Sequence, residues 1–440
     1  MITLAPPRTT VDLRPYVLAA VAFGGYALWA LMRLRTFDTT GYDLGIFEQA
    51  VKSYAHGHWP TSDLLGPGAP TLGDHFHPIL AVLAPFYLLW PSPAMLLVAQ
   101  AALFAVSAIP VTRSAIRILG TRRGVMVGVG YTLSCGLLSA VNFDFHEVAF
   151  AVPLLAFAAE RLLLERWREA VWFAAPIVLV KEDLPMTLAA VGIVLVLKGQ
   201  KRLGWTVAAA GVATTALLVL VVLPALNPAG AYAHSSGYAP FGGLVLKLGV
   251  LFALFAPTAF AALRSPLAIL LIPTLLWRLT SADTRYWTVG YHYSAVLMPL
   301  VVIAALDGVR RCPPRQWRLI PACMLVAGVA TLGFQLAHLT AGTWTAEQRA
   351  GIEEVLAKIP DGATVAASNR LAPKLTGRCT VLFFDSYPSE TVRPEWVVVS
   401  NPETAWPSTP ADKEARAAEL EREDYRRVDA TDSVVLLHRG

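Results

Sequence analysis

Long apolar stretches separated by short polar ones dominate the chain. They run at about 15–34, 93–112, 124–141, 148–164, 170–181, 184–198, 203–224, 246–262, 266–279, 293–309 and 318–339. Most approach the ~20 residues that a helix needs to cross a hydrocarbon core. A further apolar piece, 79–90, is shorter and lies between Pro78 and Pro91. It reads as an interfacial or re-entrant helix. The N-terminal stretch has no small-residue cleavage site, so it reads as a retained first span and not a removed signal peptide.

Beyond residue 342 the pattern changes to charged helical periods alternating with short β-branched runs. Thr345 to Ile359 has a helical period, and Pro360-Asp361-Gly362 makes a turn. Thr364 to Ala367 is a short strand and Asn369 to Leu375 a short helix. Val381 to Phe384 and Trp396 to Val399 read as buried strands, Glu414 to Arg427 as a charged helix, and Ser433 to His438 as a closing strand. The predicted organisation is a membrane domain over 1–342, with a long loop at 35–78, and a small α/β domain over 343–440.

Basic residues order the spans. Arg113, Arg117, Arg122 and Arg123 share one loop, and Arg161, Arg166 and Arg168 another. Lys198, Lys201 and Arg202 form a third, Arg264 stands alone in a fourth, and Arg310, Arg311, Arg315 and Arg318 fill a fifth. If 79–90 does not cross, all five fall on the side of Arg8 and Arg14, as the positive-inside rule requires. Eleven spans are therefore expected in a plasma (inner) membrane, with the N-terminus cytoplasmic and the α/β domain extracytoplasmic.

Composition agrees. Of 440 residues, 55% are hydrophobic and 15% charged, against roughly 25% charged in a soluble domain. A soluble enzyme and a disordered or fibrous chain are excluded. The net charge of +5 fits basic cytoplasmic loops better than nucleic-acid binding. Cys135, Cys312, Cys323 and Cys379 form no CxxC pair, which argues against a disulfide framework or a zinc knuckle. No GxGxxG or P-loop pattern suggests a nucleotide cofactor.

Acids and histidines gather in the opposite loops, and ionisable groups beside a membrane are usually functional. Asp43 opens an amphipathic segment that also carries Glu48; it is either the helix cap or a catalytic carboxylate. Asp74, His75 and His77 share one turn, and Asp144, His146 and Glu147 another. Asp74, His75, His77, His146 and Glu147 have the donor types for a divalent ion, Mg, Mn or Zn, or else they only start helices and bond carbonyls. Lys181, Glu182 and Asp183 form a charged corner between two short spans. Arg285 lies among Tyr286, Trp287, Tyr291, His292 and Tyr293. That cluster is an aromatic belt with a snorkelling base, or a guanidinium placed to grip a phosphate.

The sequence is identified as a member of a family of predicted bacterial and archaeal integral membrane proteins labelled as a domain of unknown function (2079 type). The resemblance rests on Tyr42 to Gln49, Gly73 to Pro78, Phe143 to Glu147, Lys181-Glu182-Asp183 and Arg285-Tyr286, and covers nearly the whole chain. More loosely, over its first 165 residues, the chain resembles the GT-C superfamily of polyprenyl-phosphate-dependent glycosyltransferases. That resemblance implies a carboxylate of the first outer loop, Asp43, as base or acceptor-orienting group. It implies Asp144 as a second acid that assists or holds a metal, and Arg285 beside the lipid phosphate; Glu48 is expected to join Asp43 and Asp144 as a catalytic residue. Tyr286, Lys181, Glu182, Asp183 and His292 complete the expected substrate site. The sequence departs from the sugar-transferase pattern in having Asp-Leu where paired acids are common, and in adding His75, His77 and His146.

The expected activity is transfer of a sugar from a polyprenyl-phosphate donor to a cell-envelope glycan or lipid acceptor, within the lipid bilayer and without nucleic acid. The alternatives are a lipid or solute transporter or flippase, and a non-catalytic cell-envelope assembly protein. A transporter needs its ionisable groups near the bilayer midplane.

Overall fold

The computed structural model describes residues 11–232, 237–311, 314–339, 343–388, 391–400 and 408–440. Arg8 and Cys312 lie outside these residues.

Each apolar stretch marked in the sequence is helical. Among the described residues five helices are long and apolar enough to cross a membrane: Arg14–Arg35, Pro93–Leu119, Lys201–Leu226, His292–Val309 and Trp317–Ala337. A sixth crossing forms if Thr121–Thr132 and Cys135–Val141, bent by 41°, count as one. Other marked stretches, such as Pro185–Leu197, Leu244–Thr258 and Pro266–Thr280, are shorter. The reason lies in residues the hydropathy pattern does not weigh. Prolines at 176, 185, 257, 266 and 273 lack the N–H that an uninterrupted helix needs, and 3-10 turns occur beside them.

Close backbone approach sets the packing. A Cβ on Gly192 would lie 2.4 Å from the Ala208 nitrogen, and one on Gly128 would lie 2.4 Å from the Thr112 hydroxyl. Helix Leu297–Val309 is buried along its whole length and forms the centre of the bundle.

The segment Pro78–Leu89 is a 3-10 turn continuing into a short helix. Val82, Phe86, Leu88 and Leu89 are exposed on it.

The loop after the first helix carries a π-helical turn, Gly41–Gly45, and helix Ile46–Ala55. Strands β1 (Thr61–Ser62) and β2 (Ala69–Pro70) follow as a small antiparallel pair. In helix Ile46–Ala55 six consecutive residues, Ile46 to Val51, are buried. One-sided amphipathicity does not produce that pattern. Phe47 and Val51 pack into the bundle core, while Ile46 joins a second core with the C-terminal unit.

The C-terminal unit is a five-stranded sheet with helices Ala346–Ala357 and Pro410–Arg422. Its strands are β3 (Thr364–Ala367), β4 (Thr380–Phe383), β5 (Trp396–Ser400), β6 (Tyr425–Ala430) and β7 (Val434–Arg439), in the order β4-β3-β5-β7-β6. β3 pairs in parallel with β4 and β5, and β7 pairs antiparallel with β5 and β6. Two local expectations are corrected. The charged helix expected at Glu414 to Arg427 runs instead from Pro410 to Arg422, because Thr409 and Asp412 form a capping box and Pro410 sits at its first turn. Tyr425 to Arg427 belongs to edge strand β6, whose charged residues face outward and resemble a helix surface in the sequence. The expected helix Asn369 to Leu375 shrinks to one 3-10 turn at Ala372–Lys374.

Phe37, Ile46 and Leu64 of the loop pack in one core with Trp344, Leu371, Leu375 and Phe383 of the C-terminal unit. Loop and sheet are thus built around shared apolar contacts.

Candidate functional site

Polar residues that are distant in the chain meet at the end of the bundle that carries this loop. The first contact joins the π-helical turn to the loop after Val141. Asp43 Oδ1 lies 3.2 Å from His146 Nε2. The Asp43 side chain is 28% exposed and that of His146 5%, so the carboxylate keeps a solvent-facing edge. The His146 ring stacks on His292, with centroids 3.5 Å apart and planes 24° apart, and on Phe143 at 5.4 Å. Phe47 closes it edge-on at 5.7 Å. The imidazole is therefore fixed in orientation. Nδ1 of His77, His146 and His292 are buried without hydrogen-bond partners among the described residues.

Asp144 occupies a different position. Its Oδ1 accepts from Arg33 Nη1 at 2.8 Å, and its Oδ2 accepts from the Thr40 amide and hydroxyl at 2.8 and 2.9 Å. Gln100 donates to the Asp144 carbonyl at 2.6 Å and accepts from the His146 amide at 3.0 Å. Asp144 has φ of 80°, a left-handed conformation that Asp tolerates better than most residues and that these four bonds hold. Burial pushes its carboxyl up, and Arg33 and Thr40 oppose that shift. Both carboxylate oxygens are committed, so Asp144 fixes the Asp43 turn from three residues away.

A second network joins the corner Lys181-Glu182-Asp183 to the other acids and histidines. His75 Nδ1 meets Glu182 Oε1 at 2.8 Å. The Phe76 amide donates to Glu182 Oε2 at 3.1 Å, and the Tyr232 hydroxyl to Oε1 at 3.1 Å. Lys181 Nζ lies 2.9 Å from Glu147 Oε1, and Trp277 Nε1 donates to Asp183 Oδ2 at 3.0 Å. Burial alone would raise Glu147, but Lys181, His75, His146 and His77 outweigh it and hold the carboxyl at about 2. Burial is likewise outweighed at Glu182, where His75 and Lys181 hold the carboxyl low. At Asp183 burial wins and the carboxyl rises to about 6. Burial depresses His77 to about 4. At His75 burial and Lys181 act downward, yet the Glu182 carboxylate leaves the imidazole raised.

Arg285 is 60% exposed and forms a fork with Asp283, the shortest contact being 2.6 Å. The Tyr42 phenol is raised by burial and then by Asp74 and Asp43, with Arg285 opposing them. Tyr286 stands edge-on to Trp277 at 4.9 Å and to Tyr293 at 4.7 Å. Buried Arg278 pins this segment by donating to the Tyr286 and Thr288 carbonyls and to the Ser294 hydroxyl.

Glu48 stands apart from the cluster. It is fully buried between loop and C-terminal unit, where it accepts from the Tyr87 hydroxyl at 2.9 Å and from the Thr376 hydroxyl. Burial raises its carboxyl to about 7. Of the residues expected to hold a metal, Asp74, His75, His77, His146 and Glu147, three have partners of their own. His75 is bonded to Glu182, Glu147 is paired with Lys181, and His146 is paired with Asp43. Among the described residues, no group of three or more His, Cys, Asp or Glu is arranged to hold a metal ion.

Sequence reasoning missed Arg33, Gln100 and Arg278. Asn369 accepts from the Gly41 amide through its carbonyl at 2.7 Å, and from the Tyr42 amide through its side chain at 3.1 Å. Gln100 and Arg278 did carry a signal, since each is a polar residue inside an apolar stretch.

The chain matches the family described as "Predicted membrane protein (DUF2079)" over residues 33–436. No curated protein matches it significantly. Among solved structures it is similar to ArnT from Cupriavidus metallidurans bound to undecaprenyl phosphate. The TM-score is 0.62 at 14% identity, covering 95% of this chain and 97% of that one. The apo form of the same protein gives a TM-score of 0.58, with the same identity and coverage. At this identity the likeness establishes the fold.

Proposed function

The chain belongs to the membrane protein family DUF2079, and from that premise we propose that it is a GT-C-type glycosyltransferase using a polyprenyl-phosphate-linked sugar. The observation that carries this reading is the partly exposed Asp43 carboxylate held 3.2 Å from a buried imidazole in a fold shared with ArnT, which binds undecaprenyl phosphate. In this reading an acceptor hydroxyl approaches Asp43. Its oxygen attacks the anomeric carbon while the bond from that carbon to the phosphate oxygen breaks. The hydroxyl proton passes to Asp43, and polyprenyl phosphate leaves. His146 orients the carboxylate. Arg285 offsets the charge of the leaving phosphate, for which guanidinium geometry is suited. Lys181 adds positive charge from behind Glu147.

The clustered acids lie in loops at helix ends and not within the long apolar helices. That placement favours surface chemistry over a transport path through the midplane. In this reading the Asp43 end is extracytoplasmic, because Arg122, Arg123 and Arg318 gather at the opposite end and positive charge resists translocation.

Binding tests the donor half of this reading. Purified full-length protein should bind undecaprenyl phosphate, and Arg285→Ala should weaken that binding roughly tenfold, the order expected for one charged contact. Equal binding of undecaprenol, which lacks the phosphate, would remove the basis for the reading.

A further inference from the structure

At the other end of the bundle, a cavity of about 510 Å³ lies between the ends of three helices. Leu119 and Gly120 close helix Pro93–Leu119, Thr121 to Met126 open helix Thr121–Thr132, and Arg318 and Pro321 come from helix Pro314–Leu339. Three guanidiniums line the cavity, from Arg122, Arg123 and Arg318, and no carboxylate does.

The contrast with neighbouring arginines is informative. At the same end Arg113 is clamped by Glu160, with contacts of 2.7 and 2.5 Å. Arg311 meets Asp307 at 2.7 Å, and Arg161 meets Glu169 at 3.1 Å. Arg122, Arg123 and Arg318 have no ion-pair partner among the described residues. Three like charges around one cavity repel each other, and an anion placed among them removes that cost.

Two features indicate which anion. The floor is apolar, built from Leu119, Met126 and Pro321. The wall helix also faces outward, since only 28% of the apolar window of Trp317–Ala337 is buried and Leu319, next to Arg318, is 47% exposed. A soluble anion has no use for such a floor and wall. A headgroup phosphate with acyl chains running down the exposed helix uses all three parts. Basic pockets between transmembrane helices take anionic lipid headgroups in this way.

We propose that Arg122, Arg123 and Arg318 hold the headgroup phosphate of an anionic diacyl phospholipid, at a site separate from the Asp43 cluster. The site does not depend on the proposed transferase activity.

The test uses purified full-length protein in neutral detergent, titrated with phosphatidylglycerol, phosphatidylcholine or inorganic phosphate. Bound lipid is counted by native mass spectrometry. Phosphatidylglycerol should bind and survive moderate activation, while phosphatidylcholine and inorganic phosphate should not compete with it. Replacing Arg122, Arg123 and Arg318 together by Gln should weaken binding roughly a hundredfold, about fivefold per charge. Arg117→Gln, an exposed arginine outside the cavity lining, should leave it unchanged. If the triple variant does not fold, Arg318→Gln alone should still cost about fivefold. Equal retention by the variants, equal binding of phosphatidylcholine, or displacement by inorganic phosphate would overturn the proposal.

Discussion

Asp43 Oδ1 and His146 Nε2 stand 3.2 Å apart, although 103 residues separate them in the chain. The stack of His146 on His292 and the clamp of Gln100 on the His146 amide hold the imidazole in place for that contact. If the imidazole acts only by orienting the carboxylate, His146→Phe should keep the stack and lower kcat roughly tenfold, with KM little changed. Adding it to Asp43→Asn should cost nothing further. Effects that multiply in the double variant would separate the two residues functionally.

Arg33 and Asp144 form a buried pair whose side chains are 9% and 2% exposed. Removing one partner strands the other. Arg33→Met should destabilise the protein by about 3–5 kcal/mol in reversible unfolding, and Arg33→Met with Asp144→Asn, which removes the stranded charge but tolerates the left-handed backbone, should recover much of that. A double variant as unstable as the single one would show that the Thr40 contacts, and not the ion pair, govern this corner.

Glu48 predicts how the joint between loop and C-terminal unit responds to pH. Its carboxyl is raised from 4.5 to about 7 by burial. The folded state therefore binds the proton more tightly than the unfolded one, so this contribution to stability is fully present below pH 4.5 and is lost as pH rises to about 7. Glu48→Gln should flatten that part of the stability profile, read by thermal unfolding at several pH values. An unchanged slope between pH 4.5 and 7 would place the titration elsewhere.

Glu147 has the opposite sign. Its carboxyl is lowered from 4.5 to about 2, against burial, by Lys181 and three histidines. Its contribution to stability is present above pH 4.5 and is lost as pH falls towards 2. Lys181→Met removes the largest of the favourable charges. The variant should lose stability at neutral pH and show a shallower decline on acidification than the parent. Parallel acid limbs would exclude the pair as their cause.

Much of this arrangement was legible in the sequence because its cause is local. Hydropathy marked the helices, and prolines marked the ends of Pro78–Leu89. Acids and histidines gather beside the apolar stretches in the sequence, and in the fold Asp43 meets His146 and His75 meets Glu182. The pairing could not be read in the same way. Which cation meets which carboxylate depends on helix packing, so Asp144 looked like a second catalytic acid until Arg33 and Thr40 were seen to occupy both its oxygens. Glu48 shares the segment Tyr42 to Gln49 with Asp43, yet its side chain points into the joint with Thr376. The shared core of the loop and the C-terminal unit was illegible for the same reason, since Phe37, Ile46 and Leu64 each look like ordinary loop hydrophobics.

The central claim is that Asp43 is the base for sugar transfer from a lipid phosphate. It is tested most directly by supplying full-length protein in lipid vesicles with a radiolabelled polyprenyl-phosphate sugar and an envelope lipid acceptor, and measuring release of polyprenyl phosphate. The account predicts turnover by the parent protein and a loss of roughly 10²-fold or more in Asp43→Asn, with unfolding temperature and undecaprenyl phosphate binding unchanged. Release by Asp43→Asn at the parent rate would contradict it.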